Sequence, residues 1–324
     1  MQKFNWLADP TPALNAQETW YNGTYQKEAL FHLVYHPRHP FAIACGAGLL
    51  AEHIRRFRFS PDIITGMGQM LDEQGHNLFT ESFLNHLQRL RLRVNVWAAP
   101  EGMMVLPGEP LLVAKGPLDQ ILLLETAFIY LIWRSSQWAT RVAVERWNAR
   151  NWVEEDTPLA PATPHNFDGW KIRAEYIGGA GADEIIGSIS QASRLPDPEE
   201  GLIRVWEQDK GIINNEIPLT QVRRLYKSQE AVGDIWLTEE LEETASVSRT
   251  SAHMSDIRTG KTETLRFTRF QNLYQPVLVK GHPALPPPRI SYLRQRTLKQ
   301  LEAFHEAKLD EYPRGWYLPN RERG

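Results

Sequence analysis

Apolar and polar positions change their spacing several times along the chain, and each change marks a predicted element. "EALFHLVYH" (Glu28–His36) alternates as a strand does, with "HPRHP" as the turn behind it. "ACGAGLLAEHIRRF" carries apolar residues at helical spacing. "SPDIITGMGQML" opens a further helix, with Ser60 as N-cap and Pro61 at the first helical position. "ESFLNHLQRL" gives a short amphipathic helix, whereas the first twenty residues, with Pro10 and Pro12, show no clear period and read as loop.

From Val94 the pattern shifts to short strands. "VNVWAA", "MMVL" and "LLVAK" are each bounded by Pro or Gly, and Pro107-Gly108 suits the centre of a type II turn. Pro117 then starts a helix that runs through "DQILLLETAFIYLIW" and on through "QWATRVAVERWNARNW", with a break near Ser135–Ser136. Lys115, Asp119 and Glu125 interrupt the apolar run Leu111–Trp133, so it reads as a buried helix and not as a membrane span.

Glu154–His165 ("EEDTPLAPATPH") is acidic and proline-rich, and forms the clearest linker. Beyond it, "GWKIRAEYIGGAGADEIIGSISQ" reads as strand, glycine loop, helix. "GLIRVWEQ", "EIPLTQVRRLY" and "DIWLTEELEE" are short elements, and "AHMSDIRTGKTETLRFTRF" is a loop followed by an alternating strand. "YQPVLVKG" is a strand, Ile290–Leu309 a final amphipathic helix, and "YPRGWYLPNRERG" an extended tail.

Composition narrows the function classes. A chain of 324 residues suggests about two domains. With 42% hydrophobic and 23% charged residues it has the make-up of a soluble globular protein. A net charge of −3 gives no electrostatic reason for a nucleic acid or an anionic membrane as partner. The basic runs "RRFRF" and "RLRLR" alternate charged with apolar residues, as half-buried edges do. The single cysteine, Cys45, excludes an internal disulfide and any multi-cysteine metal site, and reads as a small buried residue. "MQKFNWLADP" has no apolar core of signal-peptide type, so a reduced, cytoplasmic setting is expected. Eleven tryptophans leave room for a partner surface.

Candidate chemistry is sparse. No G-x-S-x-G occurs, and His36 and His39 in "HPRHP" have no third ligand near in sequence, so they read as turn histidines and no metal site is assigned. Lys261 in "RTGKTE" reads as a solvated lysine. Glu101, Glu109 and Glu125 stand in or beside apolar segments. A buried lone carboxylate is costly, so Glu125 is expected to pair with a cation, with Arg134 and Arg141 as candidates, or to accept backbone N–H bonds.

Between Phe79 and Trp147, "PEG", "PGEPLL", "GPL" and "LLET" follow one another in a fixed order. "PFAIACGAGLL" and "FRFSPDI" precede them, while "RAEYIGG", then "QPVLVKG" with a long helix, follow. In this order and spacing they resemble the nicotinate phosphoribosyltransferase family over roughly half the chain. The resemblance implies an α/β fold, an α+β framework domain plus a reduced, irregular α/β barrel of type II phosphoribosyltransferase kind. Residues 1–153 would form the framework domain, 154–165 the linker, 166–272 the reduced barrel, and 273–324 a strand and helix returning to the framework.

It also implies a reaction that joins nicotinate to the ribose of phosphoribosyl pyrophosphate (PRPP) in NAD salvage, with Mg²⁺ if the chain is active. Such chemistry needs cationic and backbone donors around the pyrophosphate, and an aromatic surface and a cation for the base. On the matching motif, Lys171, Arg173, Tyr176, Gly178 and Gly179 are the implied substrate-binding residues. No catalytic residue is assigned.

The departures fall on the substrate-facing motifs. "LADPTPAL" has no tyrosine where the family has one facing the base. "HNFDGWKIRAEY" lacks the family's arginine pair. "AGADEIIG" replaces a Gly-Thr-Ser-Asn run, and puts Asp183 and Glu184 at a helix start, where they repel phosphate. The Ala-His-Ser segment and a late Gly-x-Gly-Thr loop are not found. Only about 105 residues separate the linker from "YQPVLVKG", whereas a full barrel takes about 200 or more. The expected function is therefore a non-catalytic interaction or structural subunit, with a protein partner or a homo-oligomer. The alternatives are an active phosphoribosyltransferase and a ligand-binding sensor.

Overall fold

Strand β1 (Glu28–Tyr35) is paired on both sides, and the first sheet grows outward from it. The computed structural model describes residues 10–35, 39–150, 173–179, 202–208, 211–212, 221–238, 250–284, 286, 288–304 and 309–318, with the backbone alone for 202–208 and 211–212. On one side of β1 lies β5 (Pro110–Pro117), whose near-continuous apolar run is buried along most of its length, as suits a strand covered on both faces. Next come β3 (Asn95–Ala98), β13 (Gln275–Val279) and β14 (His282–Pro283). On the other side lie β6 (Leu202–Gln208) and β7 (Gly211–Ile212), and every neighbouring pair is antiparallel. Chain from near the C-terminus thus returns to the same sheet as β1. A separate pair joins β2 (Ala42–Ile43) to β4 (Met104–Val105).

The second sheet contains β8 (Gln221–Lys227), β9 (Glu230–Leu237), β10 (Ser251–Asp256), β11 (Thr262–Arg266), β12 (Arg269–Asn272) and β15 (Arg314–Tyr317). Their order is β11-β10-β15-β9-β8-β12, antiparallel except where β15 runs parallel to β9. The fold mixes helix and sheet as expected, and the sheets do not close into a full barrel among the described residues. "AHMSDIRTGKTETLRFTRF" holds three strands where a loop and one strand were expected. Ala252 and Met254 supply a period-2 core face within the polar "SAHMSD", and Asp256 accepts from the Arg258 and Thr259 N–H groups to make the turn.

The helices are α1 (Thr11–Tyr21), α2 (Ala47–Arg56), α3 (Pro61–Gly68), α4 (Glu81–Arg89), α5 (Leu118–Ala127), α6 (Arg134–Ala149) and α7 (Ile290–Phe304). Helix α1 corrects the expectation of a loop. Pro12 sits in its first turn, where no N–H partner is lost, and Ala13 and Ala16 are buried. Ser60 caps α3, accepting from the Ile63 N–H, with Pro61 at the start as predicted. The arginines of "RLRLR" are exposed and its leucines half-buried, which matches the reading of a half-buried edge. No described helix is long and apolar enough to cross a membrane.

The expected break near Ser135–Ser136 is absent, since both residues lie within α6; a π-helical segment just upstream, Phe128–Trp133, joins α5 to α6 without interrupting the run. Gly46, at φ +100°, lies directly on this widened turn, where a Cβ would stand 1.7 Å from the Leu131 carbonyl oxygen. Gly46→Ala is therefore expected to cost on the order of 2–3 kcal/mol or more, from the clash and the positive φ together, read as a lowered urea midpoint.

Candidate substrate-facing site

"RAEYIGG" was expected to be a strand, but residues 173–177 form a helical turn. Ala174 and Ile177, three apart, share one face and enter a core with Trp138, Ala139, Leu301 and Phe304. The turn ends on two glycines, whose N–H groups bond to the Ala174 and Tyr176 carbonyls, with Gly179 at φ +107°. Gly178 lies flush on α6, since a Cβ there would meet the Ala139 carbonyl oxygen at 2.3 Å. Thr297 of α7 donates to the Ile177 carbonyl at 2.6 Å. Tyr176 is buried, with the Arg294 guanidinium 5.2 Å from its ring centre. These substrate-binding candidates are thus packed between α6 and α7. Lys171 lies outside the described residues, as do the linker and "AGADEIIG" with Asp183 and Glu184.

Arg173 makes the central contact. Its Nη1 and Nη2 donate to Glu101 Oε1 and Oε2 at 2.6 and 2.7 Å, a bidentate pair with both side chains nearly buried. Glu101 sits in the "PEG" turn, where Gly102 at φ +82° lets α7 approach, and its Oε1 also accepts the Gly46 N–H at 2.7 Å. Burial would raise the Glu101 carboxyl, but the Arg173 charge and hydrogen bonds outweigh it and hold the group below its ordinary value. Cys45 lies 3.8 Å from Arg173 Nη1, and burial pushes its thiol far above the ordinary range, so it stays protonated and inert. The sequence marked Glu101 as framework and Arg173 as substrate-facing, and the fold joins them into one unit.

A second buried cluster centres on Arg224 of β8. Its Nε and Nη2 donate to Asp234 at 2.9 and 2.7 Å, while Nη1 donates to the Met104 carbonyl and to Gln300. Glu109 of "PGEP" lies 3.5 Å from Nη2, and Tyr312 donates to Asp234. Arg224 and Asp234 passed without notice in the sequence. Their one signal was a charge facing its partner across the β8–β9 hairpin. Arg141, a candidate partner for Glu125, pairs with Glu175 at 2.6 Å, and Arg134 lies over the Tyr130 ring. Lys261 is exposed at the β10–β11 turn, and His36 lies outside the described residues.

Among the described residues no three His, Cys, Asp or Glu side chains gather where they could hold a metal ion.

The model of the nicotinate phosphoribosyltransferase N-terminal domain matches residues 13–133. Nicotinate phosphoribosyltransferase of Bacillus subtilis is 27% identical over 178 residues, which is 52% of this chain and 34% of that protein. The Homo sapiens enzyme of that name is 34% identical over 142 residues, 42% of this chain and 26% of its own. The crystal structure of human nicotinic acid phosphoribosyltransferase superposes with a TM-score of 0.70 at 16% identity, over 96% of this chain and 97% of that one. Over these stretches the chain is similar to the nicotinate phosphoribosyltransferase family, and it shares the fold of the human protein; the matched stretches span about a third or less of these two sequence relatives.

Proposed function

We propose that this chain acts as a non-catalytic structural or interaction subunit of nicotinate phosphoribosyltransferase descent. One observation carries the reading: Arg173, the described cation of the matching motif, has both terminal nitrogens turned inward onto Glu101. Transfer from PRPP needs preorganised donors aimed at the departing pyrophosphate, and a guanidinium committed to a buried carboxylate is not one. Tyr176, Gly178 and Gly179 are likewise occupied in packing α6 against α7. The implied partner is another protein or a second copy of the chain.

Purified protein incubated with PRPP, Mg²⁺ and either nicotinate or nicotinamide is expected to release no pyrophosphate above the protein-free blank. Steady turnover would overturn the reading in favour of an active phosphoribosyltransferase. That second reading is favoured by the retention of the human enzyme's fold over 96% of the chain.

A further inference from the structure

The segment that links α4 to β3 carries the "RLRLR" alternation, and its residues turn inward and outward by turns, as those of a strand do. Leu90 and Leu92 pack against the framework core, and Val94 is buried in it, whereas Arg89, Arg91 and Arg93 are exposed. The backbone is clamped on both sides. Gln120 of α5, itself buried, donates through Nε2 to the Arg91 carbonyl at 3.1 Å and accepts the Arg93 N–H through Oε1 at 2.7 Å. From the β13–β14 turn, the Gly281 N–H donates to the Val94 carbonyl at 2.8 Å. In the same turn Lys280, also exposed, donates its backbone N–H to Asn95 Oδ1 at 2.8 Å.

The charge of this edge is uncompensated. The acids at the neighbouring ends of β1 and α5 are already engaged, Glu28 by Lys115 at 3.4 Å and Asp119 by His86 at 2.8 Å. Among the described residues no carboxylate pairs with Arg89, Arg91, Arg93 or Lys280. Like charges set side by side repel, so the row does nothing for the stability of the free chain. We infer that it is a docking surface for an acidic, extended segment of a partner protein, each guanidinium taking one carboxylate. Alternate residues of an extended chain lie about 6–7 Å apart, so Asp or Glu at every second position of the partner segment meets the arginines one to one. Nucleic acid is the weaker match. The net charge of −3 opposes the approach of a polyanion, and stacked bases need an aromatic platform, whereas Trp97 of β3 is half-buried against the core. The inference deepens the proposed function, since it describes the protein partner which that reading implies, but the two fail separately. Pyrophosphate release would remove the subunit reading and leave this surface standing.

The probe is a short fluorescent peptide that alternates Glu with Ser, and the same peptide with Gln for Glu is its uncharged counterpart. Binding to the full chain is read by fluorescence anisotropy. The Glu peptide is expected to bind saturably and to weaken as salt rises, with the Gln peptide at least about tenfold weaker. Arg91→Ser combined with Arg93→Ser should weaken the Glu peptide about tenfold. Lys227→Ser combined with Lys261→Ser removes the same charge from exposed positions of the second sheet, and should change binding less than about twofold. The urea midpoint of the arginine double variant should equal or exceed that of wild type, which a structural role for these side chains would not allow. Oligothymidylate and phosphatidylserine vesicles are titrated in parallel. The inference is overturned by absence of saturable Glu-peptide binding, by equal losses in the two double variants, or by tighter binding of the oligonucleotide or the vesicles.

Discussion

Arg173→Ala is expected to lower the unfolding free energy by about 3–5 kcal/mol, because it leaves the Glu101 carboxylate buried without its cation. The magnitude follows from burial: the Glu101 side chain is 3% exposed and that of Arg173 11%, so water does not take over the missing contact. Glu101 would keep the Gly46 N–H, which stabilises the charge but does not neutralise it. Urea unfolding measures the loss, and a cycle with Arg173→Met and Glu101→Gln measures the coupling. The double variant should be markedly more stable than the sum of the single losses predicts, since removing both charges leaves none unpaired. The pH dependence has a definite sign. A carboxyl held below its ordinary 4.5 stabilises the fold above that pH and loses its contribution as pH falls through the folded value. Wild type and Arg173→Ala should therefore converge below pH 4.5. A loss under about 1 kcal/mol at neutral pH would mean that Arg173 is not committed to the fold, and would remove the support for a non-catalytic subunit.

How much of this could be read beforehand depended on whether a feature is local. The turns at "PEG" and "PGEP", the capped start of α3 and the strand β5 are written in neighbouring residues, and they were legible. Partners distant in sequence were not. Glu101 and Arg173 are 72 positions apart, and no spacing rule links them. "RAEYIGG" misled because Tyr and Ile favour strands, while its Ala174–Ile177 spacing carried the helical face that packing selects. Helix α1 was missed because its prolines were taken as breakers, when in a first turn they cost nothing.

The Arg224 cluster gives the other large effect, and it separates two carboxylates that look alike in sequence. Arg224→Leu is expected to cost about 3–5 kcal/mol, since Asp234 would be left fully buried without a cation. Glu109→Gln should behave in the opposite way. One guanidinium faces two buried carboxylates, and its Nε and Nη2 are given to Asp234. Glu109, 3.5 Å from Nη2, is a second carboxyl at an edge already in use rather than half of an ion pair. Burial, and then the Asp234 charge, push its carboxyl well above the ordinary 4.5, which favours the protonated form above that pH. The folded chain then binds a proton that the unfolded chain releases above that pH. Stability must fall as pH rises from 4.5 toward the folded value, at up to about 1.4 kcal/mol per pH unit. Glutamine keeps the shape and the uncharged state, including an oxygen to accept from the Leu106 N–H. Glu109→Gln should thus flatten the decline, its stability rising relative to wild type as pH increases above the ordinary 4.5. Urea midpoints across that range decide the matter. A constant loss at every pH would show Glu109 ionised and paired with Arg224, and would reverse the charge assignment of the cluster.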